Sequence, residues 1–128
     1  MTQRRKLEDY MKTVYLLQQK GPVHGSDIAD ALRVSRPTVS VSLREMEEEG
    51  YLIRKADHTV CLTPKGLVIA HEIADKNLSL YELLVRLGVK KKTAEQDACE
   101  MEHAISKESY AAIMSLADSL FSLEEKMM

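Results

Sequence analysis

Apolar residues recur at helical spacing as far as Gly50 and then, within a few positions, begin to alternate. Ahead of the change, Ser26 caps a short helix from Asp27 to about Leu32, with Asp27 and Asp30 near its positive end. Ser35-Arg36-Pro37 opens the next helix, Pro37 standing in the first turn where its missing N–H costs nothing. Val39, Leu43 and Met46 line one face of that helix, and Gly50 ends it. Tyr51-Leu52-Ile53-Arg54 and Thr59-Val60-Cys61-Leu62 then alternate across a polar tip, Lys55-Ala56-Asp57-His58, which predicts a short β-hairpin. Helix, tight turn, helix and hairpin is the order of a winged helix-turn-helix.

The rest of the chain reads as helix. Leu7, Tyr10, Met11, Val14 and Leu17 predict an amphipathic helix over ~5–19, stopped by Gly21-Pro22. Thr63-Pro64 restarts helix as far as Leu87, as one rod or as two with a bend near Asn77, with Leu67, Ile73, Leu80, Leu84 and Leu87 on its apolar face. Lys90-Lys91-Lys92 reads as a charged turn, and Thr93-Ala94-Glu95-Gln96 as a capping box for a helix over ~94–104. Ser106 caps the last helix. Five glycines and three prolines are too few for a large antiparallel sheet, so the fold class is mainly α. The domain division predicted is 1–66 and 67–128.

No run of 18 apolar residues spans a bilayer, and the N-terminus lacks the apolar stretch of a signal peptide, so a cytoplasmic chain with no membrane partner is expected. Two cysteines, Cys61 and Cys99, cannot build a disulfide framework. Net charge is −2, yet its two halves differ: residues 1–66 carry 11 Lys+Arg against 9 Asp+Glu, and 67–128 carry 7 against 11. Since Val39 and Leu43 face the core, Ser35, Arg36, Pro37, Thr38, Ser40, Ser42 and Arg44 are expected to face outward and meet DNA. Small hydroxyls at a helix start let backbone approach a phosphate, which the helix N-terminus also attracts. Lys55 and His58 at the hairpin tip, with Arg4, Arg5 and Lys6, stand ready for flanking phosphates.

Cys99, Glu102 and His103 are spaced i, i+3, i+4, so they project from one side of a helix. Thiolate, carboxylate and imidazole together suit a transition metal rather than calcium or magnesium. One helix cannot close a coordination shell; Asp9 on the first helix is a candidate for a further ligand. The residues alone leave open a buried cysteine with two polar neighbours and no ion.

Glu8-Asp9-Tyr10, Ser26-Asp27-Ile28-Ala29, Arg36-Pro37-Thr38-Val39-Ser40, Leu62-Thr63-Pro64-Lys65-Gly66 and Ala98-Cys99-Glu100-Met101-Glu102-His103 together resemble the diphtheria toxin repressor and manganese transport regulator family. That resemblance implies a winged helix-turn-helix followed by a helical dimerisation domain, with a metal-activated grip on DNA. It implies Asp9, Cys99, Glu102 and His103 as ligands, the aspartate being the choice of the manganese branch. Lys12 and Asn77 stand where that branch's binuclear site uses a glutamate and a histidine, so a two-metal cluster of that kind is not expected. The iron branch's ancillary site is also incomplete, with Asn77 and Glu95 at or near its histidine positions. His24 and His71 match no ligand and read as surface residues.

The function expected is therefore a Mn²⁺- or Fe²⁺-dependent transcriptional regulator, a repressor of metal-uptake genes. Zn²⁺, Co²⁺ and Ni²⁺ would also bind in vitro, since raw affinity favours them. Its partners would be double-stranded DNA carrying a palindromic operator and a second copy of itself, with no small-molecule substrate and no catalytic residues. Leu80, Leu84, Leu87, Tyr110, Ile113, Met114 and Leu120 are the expected dimer face. Two other readings stay open: a winged-helix DNA binder or adaptor without metal response, and a metalloenzyme with Glu102 as base.

Overall fold

The computed structural model describes residues 3–127, with side chains from residue 4 onward. It contains six helices and one two-stranded sheet: α1 Gln3–Gln18, α2 Gly25–Leu32, α3 Arg36–Glu48, β1 Leu52–Arg54, β2 Val60–Leu62, α4 Pro64–Arg86, α5 Lys91–Ala104 and α6 Lys107–Met127. Among the described residues, no helix is long and apolar enough to cross a membrane. The chain divides into two compact units, Met1–Ala74 and Asp75–Met128.

The first unit is the winged helix-turn-helix. Tyr10 and Val14 of α1, Ile28 of α2, Val39 and Met46 of α3 and Leu52 of β1 make one buried cluster, each at a position that helical or alternating spacing selects. The hairpin is antiparallel, with Leu52 opposite Leu62 and Arg54 opposite Val60. Its inner strand gains a further bridge to Val23, where the Val60 N–H donates to the Val23 carbonyl at 2.9 Å. The Leu62 N–H donates to the Gln18 side chain at 3.2 Å. These bonds tie the wing to the end of α1 and the loop after it. The compact unit runs to Ala74 because Ala70 of α4 is part of the same core, with Leu67 and Ile69 against it.

Several helix starts differ from expectation. Ser26 is not the cap of α2: the helix begins at Gly25 behind His24, whose N–H donates to the Asp27 carboxylate at 2.8 Å. A carboxylate at the third helical position reaches back to the residue ahead of the helix, which no spacing of hydroxyls reveals. Thr93 is not a cap either; α5 starts at Lys91, so two of the three lysines are helical. α4 runs unbroken through Asn77. Ser35 does cap α3, accepting from the Thr38 N–H at 3.2 Å, and the Ser109 N–H donates to Ser106 at the start of α6. Ser35→Ala should lower stability by about 1 kcal/mol, read as a shift in urea midpoint at unchanged m-value; an unchanged midpoint would remove the cap from the account.

In the second unit, Ala94, Ala98 and Ala117 are buried, small side chains that let α5 and α6 approach their neighbours closely, and Leu80 of α4 is fully enclosed. Arg86 at the end of α4 stacks 3.5 Å over the Phe121 ring and lies 3.5 Å from the Glu124 carboxylate, fastening α4 to α6. One member of the expected dimer face is already covered within the chain. Leu80 packs within one chain, and Tyr110 and Met114 are half-buried, whereas Ile113, Leu120 and Leu87 stay exposed. Helical spacing marks apolar positions on α6 without saying which of two adjacent stripes turns inward.

Candidate functional site

Along α3 and its cap, Ser35, Arg36, Pro37, Thr38 and Arg44 are exposed, and Ser40 is half-buried. The Ser35 and Thr38 hydroxyls lie 2.7 Å apart, so they are ordered before any partner arrives. Ser42 is a correction. It is fully buried, because positions 39, 42, 43 and 46 form one i, i+3, i+4, i+7 stripe and Ser42 belongs to it. Val41 takes the outward place instead, half exposed; an apolar group of that kind suits a thymine methyl in the major groove. The alternation of hydroxyls from Thr38 to Ser42 hides this, since it looks like an outward run.

Lys55 and His58 are exposed at the wing tip, and His58 has a left-handed backbone, φ 67°. The tip is held by Asp57, which accepts from the Thr59 N–H at 3.1 Å and the Thr59 hydroxyl at 2.6 Å. Those two bonds keep the Asp57 carboxyl below the usual carboxylate range. The wing is also braced against α3: Arg54 Nε lies 2.5 Å from Glu47 Oε1, and a second guanidinium nitrogen donates to the Ser40 carbonyl at 3.5 Å. Sequence reasoning passed over both devices. An Asp two residues before a Thr at a hairpin tip is a signal for the first; nothing local announces the second. On α1, Arg4 is exposed and pairs with Glu8 at 3.6 Å, while Arg5 and Lys6 are half-buried.

On α5, Glu102 and His103 form a close pair: the imidazole Nε2 lies 3.3 Å from Glu102 Oε1. Glu102 is only 3% exposed, and the His103 side chain is almost as enclosed. A carboxylate removed from water costs several kcal/mol unless cations or donors face it. Cys99 is half-buried one turn earlier on the same face, but its sulfur does not complete a three-ligand cluster with Glu102 and His103 among the described residues. Neither cysteine is in a disulfide. Lys76 of α4 steadies this part of α5, its ammonium 3.5 Å from the Glu102 carbonyl and 5.7 Å from the Tyr110 ring of α6. Sequence reasoning had no signal for Lys76. In the first unit, Asp9 is half-buried on α1, and its carbonyl accepts from the Thr13 hydroxyl at 2.8 Å. The donors available, carboxylate and imidazole with a thiol one turn away, fit a divalent transition ion.

Residues 3–60 match the iron dependent repressor N-terminal DNA-binding domain, and residues 63–120 match the iron dependent repressor metal-binding and dimerisation domain. This chain belongs to the iron-dependent repressor family. Among its relatives, the HTH-type transcriptional regulator MntR of Lysinibacillus sphaericus is 31% identical over 120 residues, covering 93% of this chain and 84% of that protein. The diphtheria toxin repressor of Corynebacterium diphtheriae is 32% identical over 104 residues, 79% of this chain and 46% of that protein. A solved manganese-dependent transcriptional repressor in complex with manganese superposes with a TM-score of 0.77 at 28% identity, over 85% of this chain and 51% of that one. The chain thus spans about half the length of the solved repressor it matches. In the family's terms, the first unit carries the DNA-binding domain, and α5 and α6 lie within or overlap the metal-binding and dimerisation domain.

Proposed function

We propose that this chain is a transcriptional regulator whose hold on DNA depends on Mn²⁺ or Fe²⁺, acting as a homodimer on a palindromic operator and repressing metal-uptake genes. The observation that carries the reading is the buried Glu102–His103 pair on α5, inside the matched metal-binding domain. Glu102, His103 and Cys99 from α5 and Asp9 from α1 are the residues that would hold the ion. Once bound, the ion supplies positive charge that offsets the carboxylates of Asp9 and Glu102.

The residues act by linkage. A shared ion would be what couples the DNA-binding domain to the dimerisation domain. Asp9 and the α5 ligands held on one centre would narrow the separations two recognition helices can take. Reading successive major grooves on one face of DNA requires about 34 Å between them. By reciprocity, operator DNA tightens metal binding by the same factor. Lys12, an ammonium on α1, and Asn77, a neutral amide in mid-α4, favour one ion per chain over two.

The deciding experiment is an operator-binding titration with each divalent ion at fixed salt. Affinity rising with Mn²⁺ or Fe²⁺ upholds the reading; affinity unchanged by any ion favours a DNA binder without metal response. The same assay tests the reading face. Arg36→Ala and Arg44→Ala should each weaken binding and lower the slope of log affinity against log salt by about 1 where the guanidinium meets a phosphate. A slope that does not move for either variant places the interface elsewhere.

A further inference from the structure

Positions 39, 42, 43 and 46 of α3 turn into the core of the first unit. At about 3.6 residues per turn, the ridge directly opposite them is Pro37, Val41, Arg44 and Glu48, and all four are exposed. A single exposed valine is ordinary on a protein surface; the place of this one is not. Val41, 49% exposed, stands in mid-ridge, one turn from Pro37 on one side and one turn from Arg44 on the other.

The two ends of α3 differ in charge. Its first turn holds Arg36 and Thr38 behind the Ser35 cap, whereas Glu47, Glu48 and Glu49 close it and no basic residue lies in the last turn. Carboxylates are repelled by phosphates, so the half of α3 that can enter a major groove is the half that carries Val41. That half is also held in place. Arg54 of the wing donates to the Ser40 carbonyl at 3.5 Å, next to Val41, while its Nε pairs with Glu47. A β-branched side chain has few rotamers to lose, so Val41 is presented at little cost in ordering.

Thymine is the base that fits such a group. Its 5-methyl is the apolar feature of the major-groove edge, and a valine can neither donate to nor accept from the polar atoms that the other bases present there. Set against guanine, adenine or cytosine, it would cover a donor or an acceptor without pairing it. We propose that Val41 fixes one position of the operator half-site, a thymine whose 5-methyl packs against the valine. The proposal rests on the DNA-binding regulator argued above and adds a base that its recognition helix selects.

Replacing thymidine by deoxyuridine tests this, because the two differ only by the methyl group. The probe is the duplex that the wild-type chain enriches from a random-sequence library, with and without Mn²⁺, each thymine then being replaced in turn. At one thymine per half-site the replacement should weaken wild-type binding about fourfold, the worth of one buried methyl, and about 15-fold when both half-sites are changed. Val41→Ala, at an exposed helical position, should retain the helical circular dichroism and bind the unsubstituted duplex more weakly. At that thymine it should distinguish the two nucleosides by less than about twofold. Val41→Gln, whose amide can pair with adenine N6 and N7, should enrich a different base at that position and leave the others unchanged. Two results overturn the proposal: no thymine at which the methyl matters, or a Val41→Ala protein that suffers the same loss as wild type. A defined duplex enriched by the wild-type chain but indifferent to its methyl groups refutes the valine contact alone. Equal enrichment with and without Mn²⁺ refutes the metal dependence, and the same replacements still decide the valine. A chain that enriches no sequence overturns both.

Discussion

His103→Ala and Glu102→Gln should each abolish the stimulation of operator binding by Mn²⁺ or Fe²⁺ while leaving a folded, helical protein. The first removes an imidazole whose Nε2 lies 3.3 Å from Glu102; the second keeps the shape of the buried side chain and removes its charge. Neither touches α3, so residual binding at low salt, which comes from phosphate contacts, should persist in both. A coupling of ~2–3 kcal/mol between metal and DNA corresponds to roughly 30- to 150-fold in affinity, and that is the factor each variant forfeits. Cys99→Ala is the informative companion. Its sulfur stands outside the close pair, so a smaller loss than for His103→Ala identifies Glu102 and His103 as the principal α5 ligands. Titration of operator with each ion, for wild type and all three variants in parallel, reads this directly. A His103→Ala protein with the full metal response would show that the ion acts elsewhere or not at all.

Gly66→Ala should destabilise the first unit by roughly 3 kcal/mol. Helix propensity alone predicts the opposite sign, since alanine is favoured over glycine inside a helix by about 1 kcal/mol. The geometry decides. A methyl group at Gly66 would be driven into the Tyr51 carbonyl oxygen and stand 3.1 Å from its carbon. That carbonyl cannot easily yield, because it accepts the Thr63 N–H at 3.0 Å, while the Thr63 hydroxyl lies 2.6 Å from the Gly50 carbonyl and 3.2 Å from the Gly66 nitrogen. The start of α4 and the turn before β1 are thus laced together, and the missing Cβ is what allows them to meet. Lys65, next to it, adds a hydrogen bond to the Glu49 carbonyl at 2.9 Å and sits over the Tyr51 ring. Thermal unfolding followed by circular dichroism should show a fall in midpoint on the order of 10 °C. A variant as stable as wild type, or more so, would mean that the α4 start is free to shift.

Much of the first unit was legible because its information is local. The Val39, Leu43, Met46 stripe, the Ser35 cap and the alternation around Lys55–His58 are patterns within a dozen residues, and backbone geometry translates each into an element. The spacing of Cys99, Glu102 and His103 put three donors on one side of a helix by the same rule. Less visible was the cap of α2, since Asp27 and His24 carry no hydroxyl signature. Ser42 was misjudged for a related reason: its polarity spoke louder than its position between Val39 and Met46.

Residue order by itself determined the helix-helix-hairpin succession, the donor chemistry on α5 and the membership that the matched domains confirm, since periodicity and side-chain type are properties of neighbouring positions. Tertiary structure alone decided that Gly66 must lack a side chain, that Arg54 braces the wing through Glu47, and which of the two α6 stripes stays outside. Those outcomes depend on segments far apart in the chain meeting within a few ångströms, where hard-core repulsion and burial act on distances that no spacing along the sequence encodes.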